Sequence, residues 1–270
     1  MDAIFGVMRM RGFQWFFVLM GLFGGAGTAA PAGAAPSVQI IYLVPADRKV
    51  SETYRTAVEV GVRHFQGWLS EQLKGSTFRL ADPPVRVVKS EKNAVWFRSA
   101  ERHTGYAAFY ANTVDELTRM GVARRDDPTL RFLVYVDADH ACGQSGAGGN
   151  GIAVVTANDL RGLAGERIVP ACEKANGAEI SGPCRWVGGI GHEFLHTIGL
   201  SHPDRSPSCQ TTQCRAEALM MQGYVSYPRA ILLEEEKAQV LRSPFIGAGL
   251  RTSAGVCAAD GVPTASRSAH

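Results

Sequence analysis

Residues 192–202 read His192-Glu193-Phe194-Leu195-His196-Thr197-Ile198-Gly199-Leu200-Ser201-His202, which is the extended pattern H-E-x-x-H-x-x-G-x-x-H. His192 and His196 are four residues apart, so a helix would place both imidazoles on one face, one turn apart. Gly199 tolerates the left-handed backbone that ends a helix, and the turn would bring His202 back toward the other two histidines. The pattern therefore predicts a helix, a sharp turn and three convergent imidazoles.

Three imidazoles are typical ligands of catalytic zinc, which keeps its fourth coordination position open for water. Glu193 lies one step round the helix from His192, so it can reach that water without binding the metal. We therefore predict one Zn²⁺ ion held by His192, His196 and His202, and peptide-bond hydrolysis with Glu193 as general acid and base. The alternative is a helix with surface histidines, but a motif this long arises far less often by chance than a bare H-E-x-x-H.

A methionine-containing segment, Ala218-Leu219-Met220-Met221-Gln222-Gly223-Tyr224, follows the third histidine. With the histidine motif, it makes the chain resemble the metzincin clan of zinc endopeptidases, whose signature is this motif followed by a methionine turn. The resemblance covers residues 186–227. It implies that Met220, or alternatively Met221, packs beneath the imidazoles without binding the metal.

The chain departs from the better-known metzincin groups at two positions. Tyr224 follows the methionine pair by three or four residues instead of two, so its contact with the transition state is an open alternative. Pro203 stands directly after the third histidine, where other groups have an aspartate. The resemblance therefore implies the clan, with an exported and bacterial type of enzyme, and assigns no subfamily.

The order of apolar segments and the resemblance together predict an α+β fold of the zincin type. We expect a twisted mixed sheet with helices in residues 35–199, above a smaller C-terminal part in residues 200–270, with the zinc cleft between them. Strands are predicted at residues 38–44, 85–88, 130–136 and 151–156, with 95–97 as an extension of the second. Helices are predicted at residues 51–74, 106–120 and 232–241.

Residues 143–151 contain five glycines and are predicted to form a mobile rim loop. In metzincins, an edge strand above the zinc pairs with the backbone of an extended peptide. The run Ile152-Ala153-Val154-Val155 is our candidate for that strand. Asp137, Asp139 and His140 could bind calcium or a second zinc, although a turn with solvated carboxylates is the preferred interpretation.

Residues 1–34 are predicted to be a secretory signal peptide. Arg9 and Arg11 precede the apolar run 13–23, and small residues lead to a cleavage site near Ala34. An uncleaved anchor is the alternative, but the run is shorter than the ~20 residues of a spanning helix. We therefore expect a secreted or periplasmic protein with no stable membrane insertion, and no inhibitory propeptide before the first strand.

All six cysteines lie after this segment, which predicts up to three disulfides with open pairing. Cys209 and Cys214 flank a short polar loop after the third histidine and could close a small ring.

The formal net charge of +3 is modest, so nothing indicates nucleic acid or an anionic membrane as a partner. We expect a monomer that acts on a peptide or protein substrate. Two alternatives remain: an exported binding protein that keeps the zinc scaffold without proteolysis, and a zinc amidase that acts on cell-wall peptide.

Overall fold

The computed structural model describes residues 35–99, 103, 107–140, 146–166, 168 and 184–250. The predicted signal peptide and three of the cysteines (Cys142, Cys172 and Cys257) lie outside the described residues. So does Thr104, which the sequence offers as an N-terminal cap of the helix predicted at residues 106–120. Cys209 and Cys214 form the small disulfide ring, and Cys184 is also disulfide-bonded.

The described residues contain seven strands, of which five form one sheet and two form a second. The strands are β1 (Ser37–Val44), β2 (Ser76–Phe78), β3 (Leu80–Lys89), β4 (Leu130–Val136), β5 (Gly146–Gly149), β6 (Ile152–Val155) and β7 (Ile246–Ala248). The five-stranded sheet has the order β3-β1-β4-β6-β5; its pairs are parallel except the antiparallel pair of β5 and β6. This mixed sheet with helices confirms the predicted fold class.

Helices cover both faces of the sheet. They are α1 (Glu52–Gln72), α2 (Ala94–Phe97), α3 (Ala108–Arg119), α4 (Ala157–Leu163), α5 (Cys184–Thr197), α6 (Thr212–Glu217) and α7 (Glu234–Val240). The longest, α1, begins as predicted after Ser51, whose hydroxyl accepts from the N–H of Tyr54.

The interior strand β1 carries a continuous apolar run and is buried on both faces. Ile40 and Tyr42 pack in one core with side chains of α1, α4 and α5, whereas Ile41 and Leu43 pack in a second core with α2 and α3. Successive side chains of a strand point to opposite faces, so a continuous apolar run is what a doubly covered parallel sheet requires.

Residues 95–97 are helical, so the prediction that they extend a strand is wrong. They belong to α2, and the side chain of Asn93 accepts from the N–H of Trp96 at 2.9 Å. This N-terminal cap stabilises a helical turn despite the strand-forming composition of Val95-Trp96-Phe97.

The prediction that Ile152–Val155 forms the edge of the sheet is wrong as well. This strand, β6, pairs with β4 on one side and with β5 on the other, and is buried throughout. Among the described residues, β5 is the edge strand on this side of the sheet, and it lies within the segment predicted to be a rim loop. Asn150 and Gly151, with φ values of 47° and 82°, form the tight turn between β5 and β6.

The C-terminal part of the chain returns to the main body. Residues of β7 pair antiparallel with β2, and Ala218 forms an isolated bridge with Ile231. Within the described residues, no helix combines the length and the apolar character that a bilayer crossing requires.

Candidate metal centre

Three imidazole nitrogens converge at the C-terminal end of α5. His192 and His196 lie one turn apart on this helix, and Gly199, with φ 96°, ends it and redirects the chain. His202 thereby returns to the other two. The Nε2 atom of His202 lies 3.0 Å from that of His192 and 3.1 Å from that of His196, and the remaining separation is 3.1 Å.

Two backbone carbonyls hold the rings in place. The Nδ1 atom of His192 lies 2.8 Å from the carbonyl oxygen of Leu219, and that of His196 lies 2.7 Å from that of Leu200. A carbonyl only accepts, so each Nδ1 carries the proton and each Nε2 presents a lone pair to the common centre. Such lone pairs repel one another unless a cation lies between them.

The donor set fits zinc. Tetrahedral zinc with Zn–N distances of ~2.0–2.1 Å separates neighbouring nitrogens by about 3.3 Å, close to the separations here. Burial lowers the pKa of His192 to about 3, and it also lowers the pKa of His196. Both imidazoles are therefore neutral near pH 7, the form that binds a metal. Among the described residues, the histidine triad is the one group of potential ligands close enough to hold an ion.

Glu193 and the three histidines line one cavity of about 350 Å³, which we call the zinc cavity. Burial raises the pKa of the Glu193 carboxyl group to about 8; the charge of Asp159 adds to this rise and that of Arg185 opposes it. A carboxyl group beside such a metal centre can take up a proton from water and release it during a reaction.

The glycine strand β5 forms one wall of this cavity through Gly146, Ala147 and Gly148. A Cβ atom at Gly148 would lie 2.2 Å from the carbonyl oxygen of Glu193, and one at Gly146 would lie 2.9 Å from the Glu193 Cγ atom. The strand can approach α5 this closely only because these residues lack side chains.

The two methionines have different surroundings. Met220 is fully buried in the main core, whereas the half-buried Met221 lines the zinc cavity. Which of them serves as the floor of the site remains a prediction. Tyr224 also lines the cavity; its ring centroid lies 5.2 Å from that of His192 in an edge-to-face arrangement.

The structure thus brings most of the predicted site residues together, but not the predicted substrate strand. Ile152–Val155 does not line the zinc cavity, whereas the glycine strand before it does. Asp139 forms ion pairs with Arg161 and Arg48, so its carboxylate has cationic partners within the protein. The alternative that Asp137, Asp139 and His140 bind calcium or a second zinc stays a prediction.

Sequence reasoning missed Arg185 and Gly189, which also line the cavity. The signal was available: they precede His192 by seven and three residues, on the helix face that carries His192 and His196.

Comparison with known proteins relates the chain to others by fold. No protein-family model matches the sequence, and no curated protein matches it. The catalytically inactive OgpA of Akkermansia muciniphila, solved in complex with an O-glycopeptide (glycodrosocin) substrate, has 13% identity and a TM-score of 0.52 over 80% of this chain and 63% of that chain. The present chain therefore spans less than two thirds of OgpA.

Two further solved structures show weaker likeness. Wild-type OgpA has 16% identity and a TM-score of 0.49 over 76% of this chain and 59% of that one. Archaemetzincin from Methanopyrus kandleri has 20% identity and a TM-score of 0.39 over 79% of this chain and 98% of that one. The fold shared with the substrate complex of OgpA is what these comparisons establish.

Proposed function

We propose that this chain is a secreted zinc-dependent metalloendopeptidase of the metzincin type, with Glu193 as its general acid and base. The observation that carries the proposal is the triangle of Nε2 atoms, 3.0–3.1 Å apart, with a buried carboxyl group in the same cavity. The fold shared with OgpA, whose structure holds an O-glycopeptide substrate, supports a peptide as the substrate class.

The residues of the site would have different roles in hydrolysis. His192, His196 and His202 would hold one zinc ion, which when bound polarises the scissile carbonyl and acidifies water. Glu193 accepts a proton from the attacking water and then delivers it to the nitrogen of the leaving amine.

The glycine strand β5 offers the substrate a backbone to pair with. In a two-residue hairpin, the residues that flank the turn, here Gly149 and Ile152, are a hydrogen-bonded pair. Alternation along an antiparallel ladder then directs the N–H and C=O groups of Gly148 and Gly146 away from β6. An extended peptide would pair with this side of β5, which has no partner strand among the described residues, and lie across the three histidines.

Export of the protein is part of the proposal. The predicted signal peptide, residues 1–34, would direct the chain out of the cytoplasm. The disulfide between Cys209 and Cys214 agrees with this, because such bonds persist in oxidising compartments.

Glu193→Gln tests the mechanism. The variant should bind zinc as the wild type does, since Glu193 is not a ligand, but its kcat should fall by roughly 10²–10⁴-fold. The measurements are cleavage of casein or a peptide library, with and without a chelator, and zinc content by mass spectrometry. Glu91→Gln, at an exposed surface glutamate, serves as the control and should remain active.

Wild-type rates in Glu193→Gln, or cleavage that persists without zinc, would contradict the mechanism. Zinc binding without any cleavage by the wild type would favour a binding protein, and products cut only in cell-wall peptide would favour an amidase.

A further inference from the structure

A buried arginine lies at one end of the zinc cavity. Arg185 is 3% exposed and contributes to the cavity lining with Gly189, His192 and His196. These residues recur at intervals of four, three and four along α5, so they share one face of the helix. The same face thus carries two zinc ligands and, before them, a guanidinium group.

Gly189 determines where the guanidinium lies. A Cβ atom at this position would be 2.5 Å from Nη1 of Arg185, so the guanidinium folds along the helix over a residue without a side chain. From Gly189 to His192 the helix rises by about 4.5 Å. The positive charge is therefore held about one turn from the first histidine, and it contributes to lowering the pKa of His192.

Two aromatic rings fix the guanidinium in this place. Its central carbon lies 4.8 Å from the ring centroid of Trp186 and 4.8 Å from that of Tyr224, and Tyr224 itself lines the cavity. Cation–π contacts of this kind favour the charged form and restrict its orientation. An arginine keeps its proton in proteins, so this end of the cavity carries a positive charge in a region of low dielectric.

The buried carboxyl group of Asp159 interacts electrostatically with Arg185. Asp159 is fully buried, and burial raises the pKa of its carboxyl group to about 7 although the charge of Arg185 opposes the rise. A guanidinium has five N–H donors, so it can interact with one acid and still bind a second. A second carboxylate, brought by a ligand, would find a desolvated guanidinium whose planar donors match its two oxygens.

We propose that Arg185 forms the base of a subsite that selects an acidic side chain, aspartate or glutamate, at a substrate residue flanking the scissile bond. This inference rests on the proposed peptidase function, because it assigns part of the same cavity to the substrate. Arg185 lines the same cavity as the three histidines, so the subsite lies beside the proposed reaction centre. Gly189 leaves the space that the guanidinium occupies.

Competition between matched peptides tests the subsite. A peptide that the wild type cleaves is prepared with Glu or Gln at each position flanking the scissile bond, and each pair is digested in one tube. The product ratio gives the ratio of the two kcat/KM values and does not depend on how much enzyme is folded. At one position, the wild type should prefer Glu by roughly 10- to 100-fold.

The variants separate charge from structure. Arg185→Gln should bring the ratio close to one, and Arg185→Lys should restore part of it. Gly189→Ala should also lower it by displacing the guanidinium, although alanine favours the helix. Arg205→Gln is the control, because Arg205 is an exposed arginine near the third histidine, and it should leave the ratio unchanged.

Binding supplies a second readout. Zinc-loaded Glu193→Gln protein is titrated with the same peptide pairs by calorimetry, with and without Arg185→Gln. A wild type that cleaves both peptides equally, or a preference that survives in Arg185→Gln, would overturn the subsite. If the wild type cleaves no peptide, the proposed function fails. The subsite is then tested by calorimetry alone: tighter binding of the Glu peptide supports it, and equal binding of the two peptides overturns it.

Discussion

Glu236 is an acidic residue buried outside the metal centre. It is 5% exposed, and its Oε2 atom accepts from the N–H of Leu233 at 2.8 Å, whereas Oε1 has no partner among the described residues. Burial raises the pKa of this carboxyl group to about 7, and the hydrogen bond from Leu233 only partly opposes the rise. Between its usual pKa and this raised value, the carboxyl group of Glu236 is protonated in the folded chain and ionised in the unfolded one.

Glu236 should make the protein less stable as the pH rises. The pKa is near 4.3 in the unfolded chain and about 7 in the folded one. The bound proton thus contributes its full amount to the free energy of unfolding below about pH 4. This contribution is lost progressively as the pH rises to about 7. Glu236→Gln should reduce the loss in free energy of unfolding between pH 5 and pH 8 by about 2 kcal/mol, measured by urea unfolding.

Glu234→Gln is the control for this prediction. Glu234 lies on the same helix but is 88% exposed, and its ion pair with Lys237 lowers its pKa. It is therefore ionised in both states over this pH range. Equal pH dependence in wild type and Glu236→Gln would mean that Glu236 is ionised in the folded protein.

At the level of single residues, the sequence predicted what depends on local spacing. His192 and His196 follow from helical periodicity, and His202 follows from the glycine turn. The carbonyl groups of Leu219 and Leu200 that fix two of the rings could not be predicted in the same way. Backbone groups carry no sequence identity, and Leu219 reaches its histidine only through the path of the later chain.

At the level of elements, the site depends on how closely β5 approaches α5. The Cβ atom of an alanine at position 148 would meet the Glu193 carbonyl oxygen at 2.2 Å, and this oxygen belongs to the backbone of a packed helix. The backbones of β5 and α5 are both packed and cannot shift at this one point, so a side chain at position 148 would push the strand away from the helix.

Gly148→Ala should therefore lower both stability and activity. We expect a loss of about 1–3 kcal/mol in the free energy of unfolding, measured by urea unfolding, with a lower kcat/KM for peptides because the edge strand shifts relative to Glu193. Gly149→Ala is a matched control: a Cβ atom at Gly149 meets nothing within 4 Å. A Gly148→Ala variant as stable as Gly149→Ala would show that the strand adjusts freely.

The glycine strand also shows where prediction from hydrophobic pattern ends. The buried strands β1, β4 and β6 are recognisable as apolar runs. Residues 146–149 of β5 have no such pattern, since three of the four are glycines. The signal that could have revealed β5 is the dipeptide Asn150-Gly151, the preferred sequence of a two-residue hairpin turn, directly before the apolar run of β6.

At the level of the whole molecule, the metal centre joins segments that are far apart in the chain. His192 bonds to the carbonyl of Leu219, and the Nε atom of Arg131, on β4, donates to the carbonyl oxygen of Thr197 at the end of α5. The guanidinium of Arg131 also lies 3.8 Å from the ring centroid of Phe245. The sequence could not predict these links because they depend on tertiary packing.

Zinc should stabilise the folded protein as a whole. A ligand that binds the folded state adds about 4 kcal/mol when its free concentration is a thousand times its Kd. Chelation should therefore lower Tm by roughly 5–15 °C, and zinc but not magnesium should restore it. In His202→Ala, Tm should no longer respond to zinc, whereas in His103→Ala, at a histidine paired with Asp115, the response should persist. A Tm that is insensitive to chelation in zinc-loaded wild type would contradict this.

The compact spacing of the ligands has a consequence for refolding. All three histidines lie within residues 192–202, so the unfolded chain can bring them together by closing only a short loop. The denatured chain is then itself a chelator, and zinc bound to it subtracts from the stabilisation that the folded state gains. Metal present from the start of refolding would therefore organise this segment before the distant strands of the sheet have met.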